Sequence, residues 1–339
     1  MNPTVSIVIA SLNGRNLLGP CLRSLWDQTF TDFEVIVVDN GSTDGTVDFI
    51  KSFREPRLRM VSLSENRGFA GGCNAGMTQA RGRYIATLNN DTEADRNWLG
   101  ELVRVMDGNP KVGMGASKIL FFNERNRIDK AGHLIYLDGV NHGRGSGQLD
   151  QGQFDRIEDV LFPDGAAAIY RREMLDMTGL FDDRFFAYGD DCDLGLRGRL
   201  AGWGCLYVPT AVVYHVHSAT SGEFSSLKAF LIERNRIWVA VKSFPAPLLL
   251  VSPIFTMIRF AFHAYGSLFG VGSSGRFAAR SRTQLVLAIL KAYWSAVKSL
   301  PAMWSSRRAI GRSSHLSAWQ FTALLWKNRI STRSLTLGT

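Results

Sequence analysis

The chain has 339 residues, of which 45% are hydrophobic and 20% charged, a composition that excludes an intrinsically disordered, collagenous or low-complexity protein. Its formal net charge of +9 is unevenly divided. Residues 228–339 contain 16 Lys/Arg and one acid, a net +15, whereas the first 227 residues contain 23 Lys/Arg and 29 acids, a net −6. This division indicates two regions with different partners.

Four cysteines lie far apart in the sequence and form no Cys-x-x-Cys pair. We therefore expect neither a disulfide framework nor a structural zinc site, and a reducing cytosol suits this pattern. The N-terminal apolar run has the length of a strand and no basic residue before it, so we expect no signal peptide.

Strands alternate with helical segments over the first hundred residues. The predicted strands are 5–10, 33–38, 58–63 and 84–88, and the predicted helices are 17–28, a segment capped by Thr43 or Asp44 and running to Phe53, and 72–80. This order predicts an α/β fold with a doubly wound, mostly parallel sheet. Ligands bind such sheets beyond the carboxyl ends of the strands, where Asp39 and Asp91 are expected.

The pattern changes twice further along the chain. The pattern of residues 112–227 predicts a mixed α+β region, and the aromatic, basic sequence after Phe224 predicts helices. We expect a first domain over 1–227, with halves at about 1–111 and 112–227, followed by a helical basic region over 228–339.

The segment V-I-V-V-D-N-G-S-T-D-G-T, residues 35–46, is a strand that ends in polar groups. The Asp39 carboxylate is suited to accept hydrogen bonds from a ribose hydroxyl or a base N–H. A turn followed by a helix cap is the alternative, and it explains Ser42 and Asp44 better than it explains Asp39.

The glycine-rich segment E-N-R-G-F-A-G-G-C-N-A-G, residues 65–76, permits close backbone approach. Together with Arg67 and a helix N-terminus, it is a candidate diphosphate site. It is neither a Walker loop nor a GxGxxG fingerprint, so its spacing alone is not diagnostic.

The motif L-N-N-D-T, residues 88–92, follows an apolar strand. The Asp91 carboxylate there is a candidate ligand for Mg²⁺ or Mn²⁺. An Asx turn capping a helix that starts near Asp95 is the alternative.

Three acids fall within four positions in F-F-A-Y-G-D-D-C-D-L-G-L-R, residues 185–197. Helical spacing predicts an ion pair between Asp193 and Arg197. Asp190 and Asp191 then remain near the helix start, suited to a general base.

Two histidines end the Val-rich strand V-V-Y-H-V-H-S, residues 212–218. His215 and His217 lie on one face of such a strand. Core packing and metal ligation are both open for each of them.

Taken in order, these segments resemble inverting glycosyltransferases of family 2 with the GT-A fold, and more narrowly the bacterial rhamnosyltransferase-like branch that builds O-antigen and other cell-surface polysaccharides. The resemblance covers roughly residues 3–243. Its motifs are S-I-V-I-A-S-L-N, V-V-D-N-G-S-T-D-G, N-R-G-F-A-G-G-C-N-A-G, L-N-N-D-T, D-G-A-A-A-I-Y-R-R, G-D-D-C-D-L-x-x-R, V-V-Y-H and E-R-N-R at 233–236.

The resemblance implies a site for a nucleotide-sugar donor. Asp39 would contact the nucleotide base, and the remaining donor-binding positions would be Ala10, Ser11, Asn13, Arg67, Gly68, Asn89, Asn90 and Asp91. The motif Asn89-Asn90-Asp91 stands where the family has Asp-x-Asp, which removes one carboxylate from the metal site.

The resemblance also implies the reaction. Asp91 and His215 would bind a divalent metal, Mg²⁺ or Mn²⁺. Asp191 would accept the proton of the attacking hydroxyl, with Asp190 in place of the usual Glu. The donor would be dTDP-L-rhamnose and the acceptor a glycan on a polyprenyl-diphosphate carrier.

The basic third contains two apolar stretches. Residues 244–271 include Pro245, Pro247 and Pro253 and a central Arg259, which argue against a single clean membrane span. Residues 283–300 read as an interfacial helix on the anionic inner membrane, so we expect a peripheral protein on its cytoplasmic face. A homo-oligomerisation segment is the alternative, and no nucleic-acid-binding motif is present.

Two other functions remain open from the sequence. A nucleotidyltransferase shares a doubly wound sheet and carboxylate-bound metal, but S-L-N-G-R-N is a poor version of its loop. A non-catalytic partner in a polysaccharide-assembly complex is favoured by the Asn89-Asn90-Asp91 departure and disfavoured by the intact Asp190-Asp191 pair.

Overall fold

The computed structural model describes residues 2–216, 225–270 and 282–337. His217, paired with His215 in the sequence reading, lies outside these residues. The chain divides into two compact units: unit 1 comprises Met1–His133 and Gly143–Thr220, and unit 2 comprises Leu134–His142 and Ser221–Thr339.

Unit 1 is built on a central sheet with helices around it. The strands of the chain are β1 (Val5–Ser11), β2 (Phe33–Asn40), β3 (Leu58–Leu63), β4 (Tyr84–Leu88), β5 (Thr92–Ala94), β6 (Val112–Phe121), β7 (Ile128–Lys130), β8 (His133–Ile135), β9 (Asn141–Gly143), β10 (Glu158–Asp159), β11 (Ala167–Arg171) and β12 (Gly204–His215). Of these, β8 and β9 pair only with each other and lie mostly in the Leu134–His142 segment of unit 2. The helices are α1 (Arg15–Trp26), α2 (Thr46–Ser52), α3 (Gly68–Met77), α4 (Trp98–Gly108), α5 (Arg172–Thr178) and α6 (Asp190–Leu200), with a 3₁₀ turn at Asp183–Phe185.

The order of the main sheet is β10-β12-β6-β11-β4-β1-β2-β3, with β5 on β12 and β7 on β6. Strands β1 to β4 are mutually parallel where they pair, and β12 is parallel to β6, whereas β11 is antiparallel between β4 and β6. Every residue of β2 is buried, as a β-branched run covered on both faces requires. The predicted mostly parallel α/β sheet is confirmed.

The structure corrects three predicted helix starts. Helix α2 is capped by Gly45, with φ of 85°, and the Asp44 carboxylate accepts a hydrogen bond from Thr46 N instead of capping the helix. Helix α3 begins at Gly68, four residues before the predicted Gly72, and α4 begins at Trp98 and not near Asp95. In each case a local turn shifts the start of a correctly predicted helix.

Unit 2 is helical. Its helices are α7 (Ser226–Ser243), α8 (Ala246–Phe269), α9 (Arg282–Lys298), α10 (Leu300–Arg312), α11 (Ala318–Lys327) and α12 (Thr332–Leu337). Helix α8 is continuous through Pro253, so the prolines do not interrupt the run as the sequence suggested. By length and composition alone, α8 is long and apolar enough to cross a membrane.

A buried ion-pair cluster joins the Leu134–His142 segment to the helices of unit 2. Arg259 of α8 donates through Nε to Asp138 Oδ2 at 2.7 Å and binds Glu233 of α7 through both terminal nitrogens, at 2.8 and 3.1 Å. Arg236 binds Glu233 Oε2 at 2.7 Å. Two acids thus face two bases in a buried environment, where an uncompensated charge would be costly. The E-R-N-R motif supplies Glu233 and Arg236.

Candidate active site

The carboxyl ends of β1 and β2 form one side of the candidate site. Strand register places Ser11 beside Asp39, and Asp39 is buried, with Oδ1 accepting from Ser42 N at 3.3 Å. Asn13 connects the two following loops: its N donates to Ser42 Oγ at 2.8 Å and its Oδ1 accepts from Thr43 N at 2.9 Å. Asn13, with φ of 48°, adopts the left-handed conformation that Asn tolerates best among non-glycine residues.

The glycine-rich segment packs on these strand ends. An added Cβ at Gly72 would lie 3.0 Å from Ala10 Cβ, so glycine allows α3 to approach β1 closely. Gly68 has φ of 70°, and a Cβ there would lie 2.2 Å from the carbonyl oxygen of Phe186. The Arg67 guanidinium is half-exposed and donates to Asp183 Oδ2 at 2.7 Å. The structure therefore gives Gly68 a packing role and Arg67 an ion-pair partner.

A line of three side chains lies at the end of β12. Pairing of β12 with β5 sets His215 opposite Thr92, next to Asp91 in the chain. His215 Nε2 lies 3.2 Å from Asp91 Oδ1, and its Nδ1 lies 2.8 Å from Asp129 Oδ2 on β7. Asn89 Nδ2 lies 3.4 Å from the same Nε2, and Asn90 Nδ2 donates to Ser11 Oγ at 2.9 Å. Two predicted residues of the L-N-N-D-T motif, Asn89 and Asp91, thus contact His215.

The charges of Asp91, His215 and Asp129 stabilise one another. Burial opposes the charged imidazole, but the hydrogen bonds from His215 to Asp129 and Asp91 outweigh it and raise the pKa of His215 to about 9. Burial likewise favours a neutral Asp91 carboxyl, and His215 reverses that effect and holds the pKa of Asp91 below its usual value. Without a bound cation, the imidazolium is therefore the counter-charge of Asp91.

The Asp91–His215–Asp129 arrangement fits a divalent metal ion. Histidines that bind metals usually donate their other ring N–H to a carboxylate, which fixes the tautomer and the ring orientation. Asp129 is in that position, and it leaves Nε2 of His215 directed at Asp91. An incoming cation would replace the proton on Nε2, and the oxygen of Asp91 and nitrogen of His215 are ligands that Mn²⁺ accepts.

A second polar group surrounds Asp191, at the start of α6. Asp191 Oδ2 accepts from Gly165 N at 3.2 Å and its Oδ1 from Cys192 N at 2.7 Å. His133 Nε2 lies 2.8 Å from Asp164 Oδ2 and 3.9 Å from Asp191 Oδ2, and the His133 ring stacks on Phe162 at 5.0 Å. Two backbone N–H groups and an imidazole therefore orient the Asp191 carboxyl.

Lys130 links the two groups. Its Nζ lies 3.3 Å from Asp129 Oδ2 and 3.2 Å from Asp164 Oδ2. Burial disfavours the ammonium, but the two carboxylates outweigh it and raise the pKa of Lys130. Conversely, burial of Asp164 is outweighed by Lys130 and His133, and its pKa is far below the ordinary range. Asp164 is thus a fixed negative charge next to Asp191.

Asp190 and Asp191 both have raised pKa values. Burial is the main cause for each, and the Asp191 charge raises the pKa of Asp190 further, whereas His133 partly offsets the effect at Asp191. Among the described residues, Asp190 Oδ2 has no hydrogen-bond partner. The predicted ion pair is present, with Arg197 Nε 2.9 Å from Asp193 Oδ2. These raised pKa values suit a group that accepts a proton.

His133, Asp164 and Asp191 also form a group that could hold a cation, since each offers one atom within 4.8 Å of the others. The Lys130 ammonium, 3.2 Å from Asp164, already supplies a positive charge there. Asp91 and His215 offer a second position for a cation, since His215 Nε2 lies 3.2 Å from Asp91 Oδ1.

Sequence reasoning missed four residues of the site: Asp129, Lys130, His133 and Asp164. Asp164 begins the D-G-A-A-A-I-Y-R-R motif, so a signal was present for it. The other three fall in D-K-A-G-H, residues 129–133, a polar stretch that carries no recognisable spacing.

The fold and the strand-end site define a glycosyltransferase of the GT-A class. The structure is similar to that of the mannosyltransferase PcManGT from Pyrobaculum calidifontis in complex with GDP-Man and Mn²⁺, with a TM-score of 0.54 and 17% identity, over 97% of this chain and 89% of that one. At this identity the likeness shows the fold alone.

The sequence comparison identifies the family. The model of glycosyl transferase family 2 matches residues 6–178, and the chain belongs to this family. It is 31% identical to the O-antigen biosynthesis protein RfbC of Myxococcus xanthus, over 71% of this chain and 19% of that protein. It is 30% identical to the N-acetylglucosaminyl-diphospho-decaprenol L-rhamnosyltransferase of Mycobacterium tuberculosis, over 64% of this chain and 80% of that protein. The chain spans about a quarter or less of the first two curated relatives that it matches.

Proposed function

We propose that the protein transfers L-rhamnose from dTDP-L-rhamnose, with inversion, to a hydroxyl of a growing cell-surface glycan carried on a polyprenyl diphosphate. The observation that carries this proposal is the Asp91–His215–Asp129 line, which Lys130 connects to Asp164, next to the partly buried Asp191 carboxyl. The rhamnosyl donor and the lipid-linked acceptor are suggested by the name of the M. tuberculosis relative.

In this proposal the strand ends hold the donor. Asp39 and Ser11 receive the nucleotide, and Asn13 fixes the loops around it. Asp91 and His215 hold Mg²⁺ or Mn²⁺ next to the diphosphate. When bound, that ion acts as a Lewis acid that neutralises the charge developing on the leaving group. Asp129 keeps the His215 ring in the orientation that this requires.

Asp191 is proposed as the general base. Its carboxylate accepts the proton of the acceptor hydroxyl as that oxygen attacks the anomeric carbon from the face opposite the diphosphate. The hydroxyl must then lie within about 2.6–3.2 Å of the carboxylate. The Gly165 and Cys192 N–H groups, together with His133, stabilise the ionised form and set its direction. Asp190 is the adjacent acid in the chain, and burial together with the Asp191 charge raises its pKa, which favours its neutral form.

The basic third is proposed to hold the enzyme on the cytoplasmic face of the inner membrane, where polyprenyl-linked glycans are extended. Its net +15 suits a surface of anionic lipids. Membrane flotation of the full chain at low and moderate salt tests this point, and a protein that stays soluble in both would contradict it.

The test of the reaction is a turnover assay of the purified chain with a panel of nucleotide sugars and Mn²⁺, with Asp191→Asn as the matched control. We expect turnover of dTDP-L-rhamnose and a loss of about 10²–10⁴-fold in the variant. Release of pyrophosphate from a nucleoside triphosphate and a sugar phosphate would instead identify a nucleotidyltransferase. If no donor is turned over, the result would favour a non-catalytic partner in a polysaccharide-assembly complex.

A further inference from the structure

Helix α8 of unit 2 buries several polar side chains and exposes many of its large apolar ones. Its buried positions include Ser252, Thr256 and Arg259, the last of which is neutralised within the ion-pair cluster. Its outward side chains include Leu250, which is 81% exposed, and Met257, which is 70% exposed. A helix of a water-soluble protein shows the opposite distribution.

Helix α9 repeats this arrangement. Its buried residues are the small Ala288, Ala292 and Ala296, which follow one another at i, i+4 and i+8. Its large apolar residues point outward and are half to two-thirds exposed; they are Val286, Leu287, Leu290, Trp294 and Val297. Small residues inside and large apolar residues outside are typical of helices that face lipid. Two helices of one unit therefore expose large apolar side chains.

Exposed tryptophans next to basic side chains accompany these faces. Lys298 Nζ lies 5.0 Å from the Trp294 ring, Arg307 lies 5.5 Å from the Trp304 ring, and Arg329 lies 4.2 Å from the Trp326 ring. Tryptophan, lysine and arginine are the residues that proteins place at the boundary between headgroups and hydrocarbon. The pairs are found on α9, on α10 and just after α11.

These observations distinguish a lipid surface from a second copy of the chain. Large exposed apolar patches on a soluble monomer mark interaction surfaces. Two copies meeting through it would bring together two regions that each carry net +15, whereas an anionic bilayer offers both the hydrocarbon and the opposite charge. Arg259, whose charge was an argument against membrane insertion in the sequence analysis, is paired with Asp138 and Glu233 and does not face the exposed apolar surface.

We propose that α8 and α9 lie in the plane of an anionic bilayer with their outward apolar faces in the hydrocarbon edge and the flanking bases among the headgroups. This inference rests on the proposed function, since it gives that enzyme direct access to a lipid-linked acceptor. The 24-residue α8 is about 36 Å long, so spanning and in-plane orientations predict very different depths for its two ends.

The first experiment measures binding to vesicles of 7:3 phosphatidylcholine and phosphatidylglycerol. We expect the triple variant Leu250→Glu, Met257→Glu, Leu268→Glu to bind at least tenfold more weakly than the wild type. Met177→Glu is the matched control, because Met177 is a half-exposed methionine of unit 1, and it should bind like the wild type. Equal binding by all three proteins would overturn the proposal, as would lipid-independent dimerisation abolished by the triple variant in sedimentation.

The second experiment measures depth. A fluorophore is attached through Leu250→Cys or Leu268→Cys, and quenching by lipids labelled at two acyl depths is compared; the four native cysteines are buried. Equal, shallow depths at both positions support the in-plane orientation, and unequal depths overturn it. Turnover of a water-soluble acceptor should be unchanged in the triple variant. Vesicle binding without any sugar transfer would therefore reject the proposed function and leave this inference standing.

Discussion

Asp191 and Asp193 lie two residues apart on α6, and substituting each by asparagine should have opposite consequences. Both side chains are largely buried, but Asp193 is neutralised by Arg197 whereas burial raises the pKa of Asp191. Asp191→Asn should remove transfer and leave the fold as stable as before. Asp193→Asn should destabilise the fold.

The size of the second effect follows from the contacts of Arg197. Breaking a buried ion pair on one side costs about 3–5 kcal/mol. Arg197 would keep the carbonyl oxygens of Thr178, Gly179 and Leu180 as acceptors, which places the cost near the lower limit. At about 2–4 °C per kcal/mol for a domain of this size, Asp193→Asn should lower the melting temperature by about 6–12 °C.

The effect at Asp191 depends on pH. The pKa of Asp191 is higher in the folded protein than in the unfolded chain. The stability linked to its protonation is therefore fully present below the pKa of the unfolded chain and is lost as pH rises through the pKa of the folded protein. Asp191→Asn does not titrate, so it should melt at or above the wild-type temperature at pH 8, and the two should converge in acid. The wild-type transfer rate should fall as pH decreases through the same raised pKa, because only the ionised carboxylate accepts a proton.

The assays are differential scanning fluorimetry at several pH values and transfer from dTDP-L-rhamnose, with calorimetric titration of dTDP to verify that the donor site is intact. More than a tenth of wild-type transfer by Asp191→Asn would refute its assignment as the base. A fall in its melting temperature equal to that of Asp193→Asn would show instead that Asp191 is a structural residue.

Three further substitutions test other parts of the structure. Asp129→Asn should weaken Mn²⁺ binding about 10–100-fold in calorimetry by releasing His215, the proposed metal ligand, from its orientation, and unchanged affinity would remove Asp129 from the proposed metal site. Arg259→Leu should lower stability by about 3–5 kcal/mol in thermal melts because it leaves two buried carboxylates undercompensated, while the exposed Lys298→Leu should have little effect. Gly68→Ala should cost more than about 1 kcal/mol in the same melts, since its Cβ would clash with the Phe186 carbonyl at a positive φ, and a neutral result would reject that packing role.

The parallel half of the sheet was predictable because the local sequence of each strand indicates a strand. The buried runs of β2 and β4 are short, β-branched or aromatic, and end in polar residues, so their ends were close to correct. The insertion of β11 between β4 and β6, antiparallel to both, was not predictable. Long-range pairing of this kind depends on which exposed edges remain after the local elements form, and no single segment encodes it.

The candidate site divides in the same way. Asp39, Asp91 and Asp191 stand at strand or helix ends, and that position made them candidates for the site. Asp129 and His133 do not, because they lie on short strands that reach the site only through the pairing of β7 with β6 and through contacts with residues 31 and more positions away. Their function as orienting groups is a property of the assembled unit.

Helix α8 shows why mean hydropathy is a limited guide to membrane contact. Mean hydropathy over a stretch of sequence is lowered by Arg259 regardless of the direction of its side chain. Insertion into a bilayer depends instead on the helix face that contacts the lipid. In α8, Asp138 and Glu233 neutralise Arg259 within unit 2, so the outward face contains large apolar residues with no charge to desolvate. Ion pairing inside the protein compensates the burial of the Arg259 charge. The free energy of moving the outward face of α8 from water to lipid is then that of apolar surface, and it is favourable. In the proposed bilayer orientation, Glu233, the sole acid of residues 228–339, acts together with Asp138 to neutralise Arg259, the one charge in the middle of α8 that would oppose lipid contact.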